Sequence, residues 1–219
     1  MMNNKIIFIA LALGIISCSD QIEKNKVVSE RLPFYNEASF TPHWFSETEE
    51  LSEEIHTIPA FNFTNQDGEI ISDNTIDGKI YVVDFFFTSC PGICAKMTTN
   101  MTAVQEEFMS NEDVLILSHS VTPLKDSTPI LKNYAVANGV VSGKWHLLTG
   151  DKKQLYDLGR KSYFIEEDLG LERTEDEFLH TENFVLVDQN RHIRGIYNGL
   201  NKSSVAQLIA DIHTLQEAD

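Results

Sequence analysis

The sequence predicts an α/β fold with a mostly parallel central sheet, helices on both faces and an antiparallel hairpin at the C-terminal end. The run Lys79–Phe87 is apolar throughout except for Asp84, as expected of a strand buried on both faces. Further apolar runs alternate with segments of helical periodicity, which favours parallel strands joined by crossover helices. The run Asn183–Asn198 has the pattern of two strands that turn at residues 188–191.

The remaining elements are predicted from the same patterns. An N-terminal hairpin is expected from the alternating run Ile58–Phe63, the turn Asn65–Glu69 and the apolar residues after it. Other strands are predicted at Asp113–Val121 and Lys144–Asp151, and helices at Ala95–Met109, Thr128–Gly139, Lys152–Tyr163 and Ser203–Leu215. Strands and helices in this order fit a thioredoxin-like fold.

Composition limits the function classes. The chain has 219 residues, with 17 Lys and Arg against 33 Asp and Glu, and its formal charge is −16. This length and composition predict one globular domain rather than a disordered chain. Because sequence-independent nucleic-acid binding depends on Lys and Arg displacing counterions, no nucleic-acid partner is expected.

The N-terminal segment is predicted to be a targeting signal. Residues 1–17 contain Lys5 and an apolar run of eleven residues, Ile6–Ile16, which is shorter than the roughly 20 residues that span a bilayer. The string "GIISC" resembles a bacterial lipobox, so Cys18 is expected to become the lipidated N-terminus. The protein would then be anchored on the outer, periplasmic side of a bacterial cytoplasmic membrane. An ordinary signal peptide with a spare cysteine is the alternative.

These patterns divide the chain into four predicted parts: a signal peptide at residues 1–17, the lipidated cysteine and a linker at 18–30, an N-terminal extension at 31–54, and the folded domain at 55–219. The linker is polar and lacks apolar periodicity. The extension mixes aromatic and acidic residues, and we expect it to pack on the domain.

The remaining two cysteines, Cys90 and Cys94, lie in "CPGIC" between a predicted buried strand and a predicted helix. Four residues of helix turn just over one circle, so both thiols are expected to face the same way. The helix N-terminus favours thiolate over thiol, which promotes both metal binding and redox attack. A structural disulfide is the third interpretation, although so short a loop would remove little entropy from the unfolded chain.

Four segments carry a resemblance to a known family: "DFFFTSCPGICAKM", "SVTPLKDSTPILKNYA", "WHLLTGD" and "DEFLHTENFVLVD", in which His180 lies 86 residues beyond Cys94. They resemble the Sco/SenC family of copper proteins involved in cytochrome c oxidase assembly, and the match runs from about Ile55 to the C-terminus. The sequence departs from the usual pattern at Ala95, where proline often stands, and in "SVTP" instead of "SVDP". Neither departure removes a ligand.

The resemblance implies a thioredoxin-like fold and copper bound by Cys90, Cys94 and His180. It also implies that the chain delivers copper to the copper-site subunit of a cytochrome c oxidase, or reduces that subunit's cysteines. Two thiolates and an imidazole suit Cu(I) and can hold Cu(II), although zinc accepts the same donors. The alternative function is a thiol–disulfide oxidoreductase or thiol peroxidase in which Cys90 and Cys94 are the redox-active pair.

Two features favour the copper function. Disulfide exchange needs only two sulfurs, whereas a distant third ligand has a purpose mainly for a metal. Thioredoxin-type enzymes also keep a cis-proline before the strand that corresponds here to "FVLVD", but this chain has no proline after Pro129. The sequence "LHTEN" lies there instead, which would allow His180 to face the cysteines.

Other candidates are weaker. Met97 and Met101 offer thioether sulfurs but are expected to be core residues. Asp176 and Glu177 are candidates to orient His180, and the buried Asp84 needs a polar partner. The other six histidines are expected to be surface or hydrogen-bonded core residues: His43, His56, His119, His146, His192 and His213.

Overall fold

A five-stranded sheet forms the centre of the fold in the computed structural model, which describes residues 32–45, 55–166, 179 and 181–217. Its strands are β3 (Ile80–Phe86), β4 (Val114–Ser120), β5 (Trp145–Leu148), β6 (Asn183–Val187) and β7 (Ile193–Asn198), in the spatial order β5-β4-β3-β6-β7. Strands β5, β4 and β3 are parallel, and β6 and β7 form an antiparallel hairpin beside β3. The predicted sheet is confirmed.

The predicted N-terminal hairpin is also present, as the separate antiparallel pair β1 (Asn62–Thr64) and β2 (Ile70–Ser72). Five α-helices are seen in the described part of the chain: α1 (Asp73–Ile76), α2 (Ile93–Glu107), α3 (Thr128–Asn138), α4 (Lys152–Asp157) and α5 (Lys202–Glu217). Helix α1 was not predicted, because four residues are too few to show a helical period. Gly139 ends α3 with a left-handed φ of 70°, as its position at the end of the pattern predicted.

The helix predicted at Lys152–Tyr163 is interrupted. It is α-helical only to Asp157 and continues as a π-helical turn over Leu158–Ser162, closed by a hydrogen bond from Tyr163 N–H to Leu158 C=O at 2.9 Å. A Cβ atom at Gly159 would lie 3.0 Å from the Phe85 ring, so this turn packs closely on the sheet. Such an inserted residue is invisible to an analysis that assumes 3.6 residues per turn.

The core lies on both faces of the sheet. Tyr81, Val83 and Phe85 of β3 contribute to the face that also contains the π-helical turn. Alternate residues of the same strand, Ile80, Val82 and Phe86, contribute to the face covered by α2 and α5. The two-sided burial of β3 explains its nearly continuous apolar sequence.

Residues 32–45 of the predicted extension pack on the domain. Phe34 pairs with His43 through two backbone hydrogen bonds of 2.8 and 2.9 Å, and the Arg194 guanidinium lies 3.9 Å from the Phe34 ring centroid. Arg194 also donates to the carbonyls of Leu32 and Pro33 at 2.7 and 3.1 Å. The domain boundaries inferred from the sequence stay predictions.

Candidate metal and thiol site

The loop between β3 and α2 brings Cys90 and Cys94 together. Strand β3 ends at Phe86, and α2 begins at Ile93 after Gly92, which provides no side-chain cap. The sequence predicted that this helix begins at Ala95, but in the structure it begins two residues earlier, at Ile93. Cys94 lies in its first turn, whereas Cys90 lies in the preceding loop. Both are free thiols; Cys90 is half-buried and Cys94 is buried.

The two thiols differ in acidity. Partial burial raises the pKa of Cys90, but hydrogen bonds from the Cys94 thiol and from the backbone N–H groups of Cys94, Gly92 and Ile93 outweigh it, so this pKa lies below its ordinary value. Burial, and then the hydrogen bond to Cys90, raise the pKa of Cys94 to about 12. The uncapped helix N-terminus thus stabilises a thiolate at Cys90. Cys94 serves as the proton donor to that thiolate.

A buried carboxyl group lies beneath this pair. Asp84 of β3 is 2% exposed and accepts a hydrogen bond from Ser118 Oγ, which in turn accepts one from Trp145 Nε1 at 2.8 Å. Burial raises the pKa of Asp84 to about 7. Its negative charge also contributes to the raised pKa of Cys94. Asp84 therefore has the polar partner that the sequence required and is close enough to influence Cys94.

The other proposed ligand is not placed by the structure. His180 lies outside the described residues, as do Cys18, Asp176 and Glu177. Within the part of the chain that the structure describes, no group of three His, Cys, Asp or Glu side chains could hold a metal ion. The structure thus brings Cys90 and Cys94 together and leaves the His180 assignment a prediction.

Residues on either side of His180 are described. Leu179 is fully buried, and Thr181 is 7% exposed. A Cβ atom at Gly159 would lie 3.1 Å from Leu179 and 3.0 Å from Phe85, so Leu179 and Phe85 pack on the same glycine. Phe85 belongs to the strand that leads to Cys90.

Met97 and Met101 are core residues, 1% and 0% exposed, as expected. Among the other histidines, His56 contacts the Ser162 carbonyl at 2.7 Å and His213 contacts Glu107 at 3.0 Å. His119 differs from the expectation of a hydrogen-bonded core residue. It is fully buried, and neither ring nitrogen has a hydrogen-bond partner among the described residues.

The sequence did not single out Thr88 or Asp126, which are hydrogen-bonded to each other beside Cys90. They are 38 residues apart, and no local pattern indicates their contact. The only available signal was an aspartate shortly after a strand end, which is common in ordinary turns.

Fold and site together define a thioredoxin-like protein with a dithiol at a strand–helix junction. The chain belongs to the SCO1/SenC family, whose model matches residues 49–217. The SCO1 protein homolog of Bacillus subtilis is 31% identical over 161 residues, which cover 72% of this chain and 81% of that protein.

Solved structures agree with this assignment. BsSco, a member of the Sco family of cytochrome c oxidase assembly proteins in which a disulfide switch was identified, matches at 29% identity and a TM-score of 0.64, covering 75% of this chain and 96% of that one. A SCO1/SenC family lipoprotein from Bacillus anthracis matches at 28% identity and a TM-score of 0.64, covering 74% and 95%. Copper-bound ScoI from Bradyrhizobium japonicum matches at 22% identity and a TM-score of 0.55, covering 69% of this chain and 97% of that one. At this identity, the similarity establishes only the fold.

Proposed function

We propose that this chain binds copper through Cys90, Cys94 and His180 and serves the assembly of a cytochrome c oxidase. It would deliver the metal to the copper-site subunit of the oxidase or keep the cysteines of that subunit reduced. The hydrogen-bonded pair of Cys90 and Cys94 at the start of α2 carries this proposal.

The donor set fits copper. Thiolate sulfur is a soft ligand and imidazole is intermediate, so the three residues suit Cu(I) and can hold Cu(II). The free N–H groups at the start of α2 offset the negative charge of Cys90 before any metal arrives. Cys94 must lose its proton to become a ligand, so metal binding at neutral pH is expected to release protons. The register of β6 supports His180 as the third ligand: Val185 pairs antiparallel with Val83, so the chain before β6 approaches the end of β3 that leads to Cys90.

The full chain, purified under reducing conditions, is expected to retain one copper ion after dialysis against a competing chelator. Cys90→Ser, Cys94→Ser and His180→Ala should each weaken copper binding at least about tenfold. Loss of a residue that only hydrogen-bonds to a metal ligand already lowers metal affinity by about that factor, and each of these changes removes a ligand itself. Metal analysis and chelator competition provide the measurement. His213→Ala, which removes a histidine at the surface, is the matched control. Equal copper retention by the wild type and the triple variant would disprove the site.

Oxidation is expected to abolish copper binding reversibly. A mild oxidant would take two electrons and two protons from Cys90 and Cys94, and the resulting disulfide sulfurs would no longer be thiolate ligands. Thiol counting and copper titration, before oxidation, after it and after reduction, test this prediction. Full copper affinity in a chain whose Cys90 and Cys94 are both oxidised would contradict it.

A thiol–disulfide oxidoreductase or thiol peroxidase is the second candidate. The observation in its favour is the unequal acidity of the two thiols, because a thiolate that accepts a hydrogen bond from its partner thiol is suited to attack. His180→Ala separates the two functions. It would reduce copper binding in the first and leave thiol exchange with a disulfide substrate unchanged in the second.

We further propose that the mature chain begins at a lipidated Cys18 and is held on the outer side of a bacterial cytoplasmic membrane. Within the described residues, no helix is long and apolar enough to cross a membrane. The proposal depends on the short apolar run before Cys18 and on the similarity to the Bacillus anthracis lipoprotein. The polar residues 20–30 would give the copper site reach toward a membrane-embedded acceptor.

In a bacterial host, Cys18→Ala is expected to move the protein from the membrane pellet to the soluble or uncleaved fraction. Several acyl chains anchor a protein firmly, and removing their attachment site removes that anchor. Fractionation followed by detection of the chain provides the measurement, with Ser19→Ala as the neighbouring control. Normal processing and unchanged membrane association of Cys18→Ala would show that another feature anchors the protein.

A further inference from the structure

We infer that Asp126 is a positioning residue for Cys90 and that it acts through Thr88, two residues before that cysteine. Thr88 Oγ1 donates to Asp126 Oδ1 at 2.6 Å, and the Thr88 backbone N–H donates to Asp126 Oδ2 at 3.3 Å. The cysteine loop, residues 87–92, is thereby joined to the loop between β4 and α3.

Asp126 is itself held in place. It is 0% exposed, and its Oδ2 accepts hydrogen bonds from Ser120 Oγ at 2.6 Å and from Thr122 Oγ1 at 2.9 Å. With the two bonds from Thr88, the carboxylate accepts four hydrogen bonds. A buried carboxylate satisfied in this way is a rigid support, because any movement leaves a donor or a charge without a partner.

The hydrogen bonds between Thr88 and Asp126 affect the position of Cys90 because only one residue, Ser89, separates Thr88 from Cys90. The Val121 N–H donates to the Phe86 carbonyl at 2.9 Å, and the Cys90 N–H donates to the Phe87 carbonyl at 3.2 Å. Between these two bonds, the Thr88–Asp126 pair connects the cysteine loop to the β4–α3 loop through two hydrogen bonds to the Asp126 carboxylate. The pair therefore sets where the Cys90 sulfur lies relative to the N–H groups at the start of α2.

The Thr88–Asp126 contact depends on the hydroxyl group of Thr88, so substitutions at this position can test it. Valine has nearly the shape of threonine without the hydroxyl group, whereas serine retains the hydroxyl group. Thr214→Val is the matched control, because it also removes a threonine hydroxyl group that donates one hydrogen bond, here at 3.1 Å to the Ala210 carbonyl in α5, and this bond involves neither Asp126 nor the cysteine loop. Changing Asp126 itself would disturb both loops, so Thr88 is the more informative position.

The test is the alkylation rate of Cys90 by iodoacetamide at pH 7 in the full, reduced, metal-free chain, followed by peptide mass mapping, with Cu(I) affinity measured in parallel. Thr88→Val is expected to slow Cys90 alkylation and to weaken Cu(I) binding, each roughly fivefold, on the scale of one hydrogen bond. Thr88→Ser should restore both to within about twofold, and Thr214→Val should leave both at the wild-type level. Urea unfolding of each variant reports its stability separately.

Equal alkylation rates in Thr88→Val and Thr214→Val would overturn the inference, as would failure of Thr88→Ser to restore the rate. The copper measurement rests on the proposed function, but the alkylation measurement does not. A wild-type chain that binds no copper would therefore disprove the proposed function, and the alkylation series would still decide the role of Asp126.

Discussion

Replacing Asp84 with asparagine is expected to raise the free energy of unfolding at pH 8 by up to about 4 kcal/mol. Asp84 is almost completely buried, and burial raises its pKa from the ordinary 3.8 to about 7. The folded chain thus holds this proton more tightly than the unfolded chain does. The stabilising contribution is complete below pH 3.8 and is lost as the pH rises to about 7, so at pH 8 the fold bears the full cost of a buried charge.

Asparagine removes this charge and keeps an oxygen that can accept the hydrogen bond from Ser118. Its N–H₂ group needs a partner of its own, so the value of about 4 kcal/mol is an upper limit. Urea unfolding of the wild type and Asp84→Asn at pH 5 and pH 8 measures the effect, which should be larger at pH 8. Asp113→Asn, at a carboxylate with 78% side-chain exposure, is the control.

A second measurement on the same variant concerns the thiols. The charge of Asp84 is one of the causes that raise the pKa of Cys94, so Asp84→Asn should lower this pKa. If Asp84→Asn stabilises the protein equally at pH 5 and pH 8, or does not stabilise it at pH 8, then ionisation of Asp84 does not lower the free energy of unfolding and the prediction is wrong.

The second large effect is expected from His119→Phe, which should stabilise the protein most strongly in acid. His119 is fully buried, its ring stacks on Phe85 with centroids 5.0 Å apart, and Phe63 and Tyr163 lie edge-on or tilted to it at 5.5 and 5.7 Å. Burial lowers the pKa of His119 from 6.5 to about 3. The site is therefore suited to an aromatic ring and unsuited to a charged one.

The direction of the pH dependence follows from this depressed pKa. Between pH 6.5 and about 3, the unfolded chain takes up a proton at His119 that the folded chain excludes, so stability falls as the pH falls. At pH 5 the loss is about 2 kcal/mol. Phenylalanine removes this loss and also removes two buried nitrogen atoms that have no hydrogen-bond partner in the part of the chain that the structure describes.

Thermal or urea unfolding of the wild type and His119→Phe at pH 5 and pH 8 tests this expectation, with His213→Phe as the control at an exposed histidine. The variant should exceed the wild type in stability at both values of pH, and by about 2 kcal/mol more at pH 5. Destabilisation at pH 8 would mean that the His119 ring makes a polar interaction that the described residues do not reveal.

Asp84 and His119 have opposite pH dependences although they lie on adjacent strands. Asp84 is paired in register with Ser118, and Phe85 is paired with His119, so the two titratable groups face opposite sides of the same sheet. One becomes unfavourable as the pH rises and the other as it falls. Because the two pH ranges overlap, the two contributions oppose each other in the wild-type chain and largely cancel, so each becomes visible only when the other group is replaced.

Much of this architecture could be predicted from the sequence because it depends on local periodicity. Strand β3 is apolar on both faces, helix α2 repeats apolar residues at intervals of three and four, and the β6–β7 hairpin contains its own turn. The cysteine pair was also evident, because both sulfurs lie within one five-residue motif. The exceptions, α1 and the π-helical turn, are too short or too irregular to produce a period.

The sequence by itself determined the class of fold, the dithiol at the strand–helix junction and the family resemblance. These are properties of neighbouring residues and of their order along the chain. Only the tertiary structure decided that Cys90 is the more acidic thiol, that His119 has no hydrogen-bond partner among the described residues and that Asp126 is hydrogen-bonded to Thr88 in the loop of Cys90. These properties depend on burial and on contacts between distant segments, because desolvation and hydrogen bonding are set by what surrounds a group in space.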